Sequence, residues 1–253
     1  MTTALITGAT GGLGKEFAKI HAQHGGDLVL VGRSPEKLAK VSAELKQYKV
    51  NIQTVAVDFT DDNAAQVIFD AVKDVQIDYL INNAGLGGHG TFLERSMEQD
   101  LGMAKVNMLV PMELMKLFLP KMVKQGSGKI LNVSSTAALV SGPLQAEYYA
   151  TKAYLASLSN ALWYELKDQN ISVTALMPGV VEIGFAKVAG LTHTKMFAHG
   201  FGPEKVALDG YNAMLAGKMN VYSGLSAVQR PFISLMPMMP KKMLMGYIAS
   251  QQK

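Results

Sequence analysis

The chain has 253 residues, 49% of them hydrophobic, enough for one large core, so a single domain over residues 1–253 is expected. No apolar run reaches the roughly 18 residues of a spanning helix, and Met1–Thr7 has neither the charged region nor the cleavage site of a signal peptide. Cysteine is absent, which excludes disulfides and thiolate catalysis and fits a reducing, cytoplasmic compartment; the net charge of +4, without a basic run, suits a small anionic ligand and gives no footprint for nucleic acid.

Ala4-Leu-Ile6 reads as a first strand. Thr7-Gly-Ala-Thr-Gly-Gly-Leu-Gly14 follows it and leads into Lys15–Gln23, which has helical spacing. Glycines 8, 12 and 14 therefore sit in a strand-to-helix turn. Such a turn sets bare backbone N–H groups against a pyrophosphate at a helix N-terminus. The spacing is a variant of the dinucleotide fingerprint, and its place after the first strand strengthens the reading. His21 and His24, three apart on this helix, read as part of a solvated surface. No metal site is expected among the five histidines.

Asp27–Gly32 is the second strand, with Arg33 and Ser34 beyond it. An NAD site usually places a carboxylate about 20 residues past the glycine turn, and an NADP site an arginine. Gly32 offers no carboxylate and Arg33 offers a guanidinium, so NADP is favoured; a plain surface arginine before the Pro35 helix is the competing reading. Pro35–Gln47 is an amphipathic helix with proline in its first turn. Asn51–Val57 is a third strand closed by Asp58. Thr60–Lys73 is a helix with Thr60 or Asp61 as its N-cap. Asp78–Ile81 is a fourth strand, ending at Asn82-Asn-Ala-Gly85. Strands alternate with helices throughout, which predicts an α/β fold with a doubly wound parallel sheet. Gly8, Arg33, Asp58, Asn83 and Ser135 all fall at carboxyl ends of strands, where ligands of such sheets lie.

Residues 86–95 form a glycine-rich loop. Ser96–Lys124 reads as one long helix interrupted at Asn107 and Pro111. Pro111 has no N–H to give the carbonyl four residues back, which is that of Asn107, so this carbonyl is expected to be free for water or for Lys152. Ile130–Ser135 is a buried strand ending in two hydroxyls. In the following helix, Ala146–Gln169, Tyr148 and Lys152 are four apart and share a face. A cation beside the phenol favours the phenolate over its usual pKa of about 10, which suits Tyr148 to general acid/base work. Ser135 could hold a substrate oxygen. Ile171–Leu176 is the next strand, ended by Pro178-Gly179. Residues 184–202, with Phe185, Met196, Phe197 and several glycines, read as a lid over an apolar pocket. Pro203–Ala216 is a helix and Met219–Ser223 a last strand. The tail from 224 to 253 is rich in methionine (Met236, Met238, Met239, Met243, Met245) with Lys241 and Lys242. Three readings of it stay open: a helix packed on the substrate mouth, a dimer contact, or a surface held against a membrane.

Over roughly residues 1–223 these motifs together resemble the short-chain dehydrogenase/reductase family. The matching pieces are Thr7-Gly8-x-x-x-Gly12-Leu-Gly14, Asp58, Asn82-Asn-Ala-Gly85, Asn107, Ser135, Tyr148-x-x-x-Lys152 and Pro178-Gly179. The resemblance implies a Rossmann sheet of about seven strands and a catalytic tetrad of Asn107, Ser135, Tyr148 and Lys152. It implies a dinucleotide held by Gly8, Thr10, Gly12, Leu13, Gly14, Arg33, Ser34, Asp58, Phe59, Asn83, Ala84, Gly85, Tyr148, Lys152, Pro178, Gly179 and Val181. It also implies a homodimer or homotetramer acting on a small carbonyl or alcohol substrate. One departure stands out: Ile183 occupies the place where the family commonly has a threonine whose hydroxyl contacts the cofactor. The expected function is an NADP-dependent reductase of ketones or aldehydes, with an apolar substrate; a catalytically silent dinucleotide sensor or scaffold is the alternative.

Overall fold

A computed structural model describes residues 1–184, 186, 189–192, 194, 200–226 and 228–252. Seven parallel strands build one sheet: Thr3–Thr7 (β1), Asp27–Gly32 (β2), Ile52–Ala56 (β3), Tyr79–Asn82 (β4), Gly128–Val133 (β5), Ile171–Pro178 (β6) and Asn220–Ser223 (β7). Their order is β3-β2-β1-β4-β5-β6-β7. The winding reverses between β1 and β4, and a crevice for a ligand opens at such a point. The three-layer, doubly wound fold expected from the alternation of strands and helices is therefore present.

The helices are Gly12–Gln23 (α1), Pro35–Leu45 (α2), Ala64–Ala71 (α3), Met97–Ala104 (α4), Val110–Gln125 (α5), Ala146–Glu165 (α6), Pro203–Leu215 (α7), Gln229–Leu235 (α8) and Lys241–Gln251 (α9). Strand side chains alternate between faces, so one strand feeds two cores. Ile6, Leu28, Leu30, Ile81 and Leu176 pack with Phe17 of α1 and Tyr211 and Met214 of α7. Leu5, Val29, Val31, Leu80 and Ile130 pack on the other face with Ile68 of α3 and Leu114, Phe118 and Met122 of α5. Each such side chain contributes about 1.5–3 kcal/mol by leaving water.

Three expectations change. His21 is buried, not solvated: its Nδ1 lies 2.8 Å from the Tyr211 hydroxyl and its Nε2 3.2 Å from the Thr2 carbonyl. The helix after β3 starts later than Thr60. Asp58 Oδ1 accepts from the Thr60 N–H (2.9 Å) and hydroxyl (2.8 Å), and this side-chain turn competes with helix. The long helix at 96–124 is two helices joined by a π turn over Lys105–Leu109, in which the Val110 N–H reaches the Lys105 carbonyl. A widened turn directly before Pro111 accommodates the missing donor. Of the three open readings of the tail, packing on the substrate mouth is the one seen: the tail is helical and covers one side of the crevice. Phe185, Met196 and Phe197 of the expected lid lie outside the described residues. Among the described residues no helix is long and apolar enough to cross a membrane.

Candidate active site

The floor of the crevice is built at the carboxyl ends of β1 and β4. Thr7 Oγ1 accepts from the N–H groups of Asn83 (2.9 Å) and Ala84 (3.0 Å), and Asn83 Nδ2 donates to the Thr7 carbonyl at 2.9 Å. The turn that follows needs glycine for two separate reasons. Gly8 has φ +66°, a conformation that costs other residues energy. Gly14 lets α1 press on the turn: a Cβ there would stand 2.2 Å from the Gly8 carbonyl oxygen and 2.6 Å from Asn83 Nδ2. The result is a concave, glycine-lined cradle at the start of α1, the shape and polarity that a pyrophosphate requires.

The second wall comes from β5 and α6. Ser134 Oγ donates to the Lys152 carbonyl at 2.8 Å, pinning α6 to the strand end. Ser135 Oγ accepts from the Ala137 N–H at 3.1 Å and hydrogen-bonds the Tyr148 side chain. Lys152 is buried, donates from Nζ to the Val133 carbonyl at 2.9 Å, and lies 5.7 Å from the centre of the Tyr148 ring. Asn107 acts through its side chain. Its Oδ1 accepts from the Leu86 N–H at 2.8 Å, and its Nδ2 donates to the Leu86 carbonyl (2.9 Å) and to Thr151 Oγ1 (3.0 Å). Gly85 closes the arrangement; a Cβ on it would sit 3.3 Å from Lys152 Nζ and 3.5 Å from Asn107 Oδ1.

The electrostatics correct one expectation. Burial pushes the Tyr148 phenol up to about 12, against the opposing pull of its Ser135 hydrogen bond. Burial also pulls the Lys152 ammonium down to about 8. Burial disfavours both charged forms and so works against the phenolate that a neighbouring ammonium favours. Tyr148 is therefore a neutral phenol near pH 7, which is the form that can give a proton.

These groups line one cleft of about 680 Å³. Of the sequence-predicted positions, Gly8, Gly12, Leu13, Arg33, Asn83, Ala84, Gly85, Ser135, Tyr148, Lys152, Pro178, Gly179 and Val181 face it. Thr10, Gly14, Ser34, Asp58, Phe59 and Asn107 are not in its lining. Ser34 is engaged as the N-cap of α2, accepting from the Lys37 N–H at 3.2 Å. Asp58 is turned to Thr60, and Phe59 is core. Ile183 does line the cleft, stacked on the glycine turn, with its Cβ 3.0 Å from where a Gly12 Cβ would be. Its hydrocarbon side chain supplies no hydroxyl at this point, and its N–H donates to the Val181 carbonyl.

The far side of the cleft comes from the tail, as the first of its three readings has it, although the sequence did not say which residues face inward. Phe232, Ile233, Met236, Tyr247, Ile248 and Gln251, all from the tail, form it. A buried polar clasp anchors this wall. Gln145 donates to the Gln252 side chain, Gln252 Nε2 donates to the Tyr149 hydroxyl at 3.2 Å, and His89 Nε2 lies 2.9 Å from the Gln252 carbonyl. No sequence signal marks a polar Gln252 as a core residue.

A parallel sheet with this order, a glycine cradle at its switch point, and a Ser–Tyr–Lys group one strand away define a dinucleotide-binding protein with oxidoreductase machinery. Residues 2–193 match the family model "short chain dehydrogenase". The chain belongs to the short-chain dehydrogenase family. It is similar to the very-long-chain 3-oxoacyl-CoA reductase of Mycosarcoma maydis, with 36% identity over 191 residues, 73% of this chain and 55% of the relative. It is also similar to the Mus musculus protein of the same name, with 32% identity over 253 residues, 98% of this chain and 80% of the relative. The chain thus spans little more than half the length of the first. Among solved structures, a short-chain dehydrogenase from Sphingobium yanoikuyae in complex with NADPH superposes with a TM-score of 0.85 at 26% identity, covering 92% of this chain and 91% of the other. Solved structures at this identity hold NADPH or NADH.

Proposed function

We propose that the protein is an NADPH-dependent reductase of a ketone carried on an apolar chain, of the 3-oxoacyl thioester kind named for its relatives. The observation that carries this reading is the Ser135–Tyr148 pair with buried Lys152, set in the same cleft as the glycine cradle and Arg33. The dinucleotide supplies the hydride when bound. Tyr148 gives its proton to the carbonyl oxygen as the adjacent carbon is reduced, which leaves a secondary alcohol. Ser135, fixed by the Ala137 N–H, orients that oxygen. The Lys152 ammonium, held on the Val133 carbonyl, offsets the negative charge left on the phenol. Asn107 is a positioning residue that ties Leu86 of the substrate loop to Thr151 of α6. Its main-chain carbonyl, in the π turn, is the proposed anchor of the water that returns the proton. Arg33 favours NADPH because a guanidinium beside the ribose pairs with a 2′-phosphate. The apolar wall of Phe232, Ile233, Met236 and Ile248 supports a hydrophobic substrate. A silent sensor would leave the Tyr148 group without a use.

Tyr148→Phe tests the reading. Loss of the general acid should lower ketone reduction by about 10²–10⁴-fold, while NADPH binding followed by cofactor fluorescence stays close to that of the parent. A variant that keeps most of its rate refutes the assignment.

A further inference from the structure

A second cavity, of about 260 Å³, lies beside the cleft, between residues 138–141, Ala153 of α6 and the tail. Val140 and Met236 line both spaces. The same two side chains pack in one apolar cluster with Tyr148. Val140 and Met236 therefore stand between the Tyr148 side of the cleft and the second cavity. Its other walls include Leu139, Ala153, Leu244 and Met245, with the exposed Lys241 as the charged member. The pocket is partly open to solvent, and its lining is mostly apolar, with Ser141 and Lys241 as its polar side chains.

We propose that this chamber takes the distal alkyl chain of the substrate, threaded from the carbonyl at Tyr148 between Val140 and Met236. The inference rests on the reductase reading and adds to it the place where chain length is sensed. Methionine suits the gate position. Its unbranched, polarisable side chain changes rotamer easily and packs against methylenes in several arrangements. The dividing wall is thus one that a flexible chain can part without moving backbone. The chamber is made jointly by α6, which carries Tyr148 and Lys152, and by the tail, so chain binding and chemistry share one element.

Each methylene buried from water is worth about fourfold in affinity. A chamber that takes several should raise kcat/KM for long methyl ketones over short ones by roughly 10²-fold or more. Met245→Trp fills the chamber from α9, and Ala153→Phe fills it from α6. The readout is the ratio of kcat/KM for long over short methyl ketones with NADPH. We expect both variants to lower that ratio by about tenfold or more. A ratio unchanged in both folded variants overturns the proposal. Direct binding of the fluorescent fatty acid cis-parinaric acid separates the two levels of inference. If the parent reduces no ketone, the reductase reading fails, and the chamber is judged by whether Met245→Trp and Ala153→Phe weaken parinaric acid binding. Unweakened binding in both sinks the chamber on its own.

Discussion

Asn107→Ala isolates the part that this side chain plays. The carboxamide makes three hydrogen bonds, two to the main chain of Leu86 and one to Thr151 Oγ1. Thr151 keeps a second partner, because its hydroxyl also donates to the Tyr148 carbonyl at 2.8 Å. The cost therefore falls mainly on the Leu86 N–H and carbonyl. An orphaned buried polar group costs about 1–3 kcal/mol, and the Leu86 groups are only partly buried. A water admitted to the vacated space recovers some of the loss. The expected destabilisation is about 3 kcal/mol. With a urea slope of about 3 kcal/mol per M, the unfolding midpoint should fall by about 1 M with the slope unchanged. A fall worth less than about 1 kcal/mol would show that Asn107 does not anchor the loop at 86–95, and its role as a positioning residue would go with it.

Gly14→Ala places a Cβ 2.2 Å from the Gly8 carbonyl oxygen, where backbone cannot yield; it should cost about 1–3 kcal/mol and weaken NADPH binding. Gly102→Ala in α4, whose nearest neighbour is 3.7 Å away, should instead gain up to about 1 kcal/mol in the same denaturation assay, and equal stability of the two variants would contradict the packing argument. Arg33→Ala should raise KM for NADPH by about tenfold or more while leaving NADH little changed; equal loss on both removes the phosphate assignment. Burial lowers the pKa of His21 below its ordinary 6.5. The unfolded chain therefore takes up a proton that the folded one refuses, and stability is lost as pH falls below about 6.5 toward the folded value. His21→Gln should flatten that stretch of the melting-temperature profile, and an unchanged slope would place the titration elsewhere.

The strands that carry the site were readable because parallel strands are covered on both faces and appear as continuous apolar runs, as in Ala4–Ile6 and Leu28–Val31. The Gly8–Gly14 turn and the Tyr148–Lys152 spacing were readable because their geometry is local. What depends on a distant element was not. His21 looks like a surface residue until α7 brings Tyr211 against it. Proline chemistry located the break at Asn107 but not the work of its side chain, whose partners lie at Leu86 and Thr151. The sign of the Tyr148 shift depends on burial, which a one-dimensional count of nearby charges omits. For the tail, packing on the substrate mouth was one of three readings; which of its methionines face inward was not legible, because contacts with α6 and residues 138–141 decide it.

The buried Gln145–Gln252–Tyr149 clasp has a mechanical corollary. The nucleotide half of the cleft is fastened to the parallel sheet at β1 and β4, whereas the opposite half is carried by the tail, held by this side-chain clasp and a small apolar cluster. Substitutions could remodel the second half without loosening the first. A lineage with this layout can change what it reduces while keeping the reductant it uses.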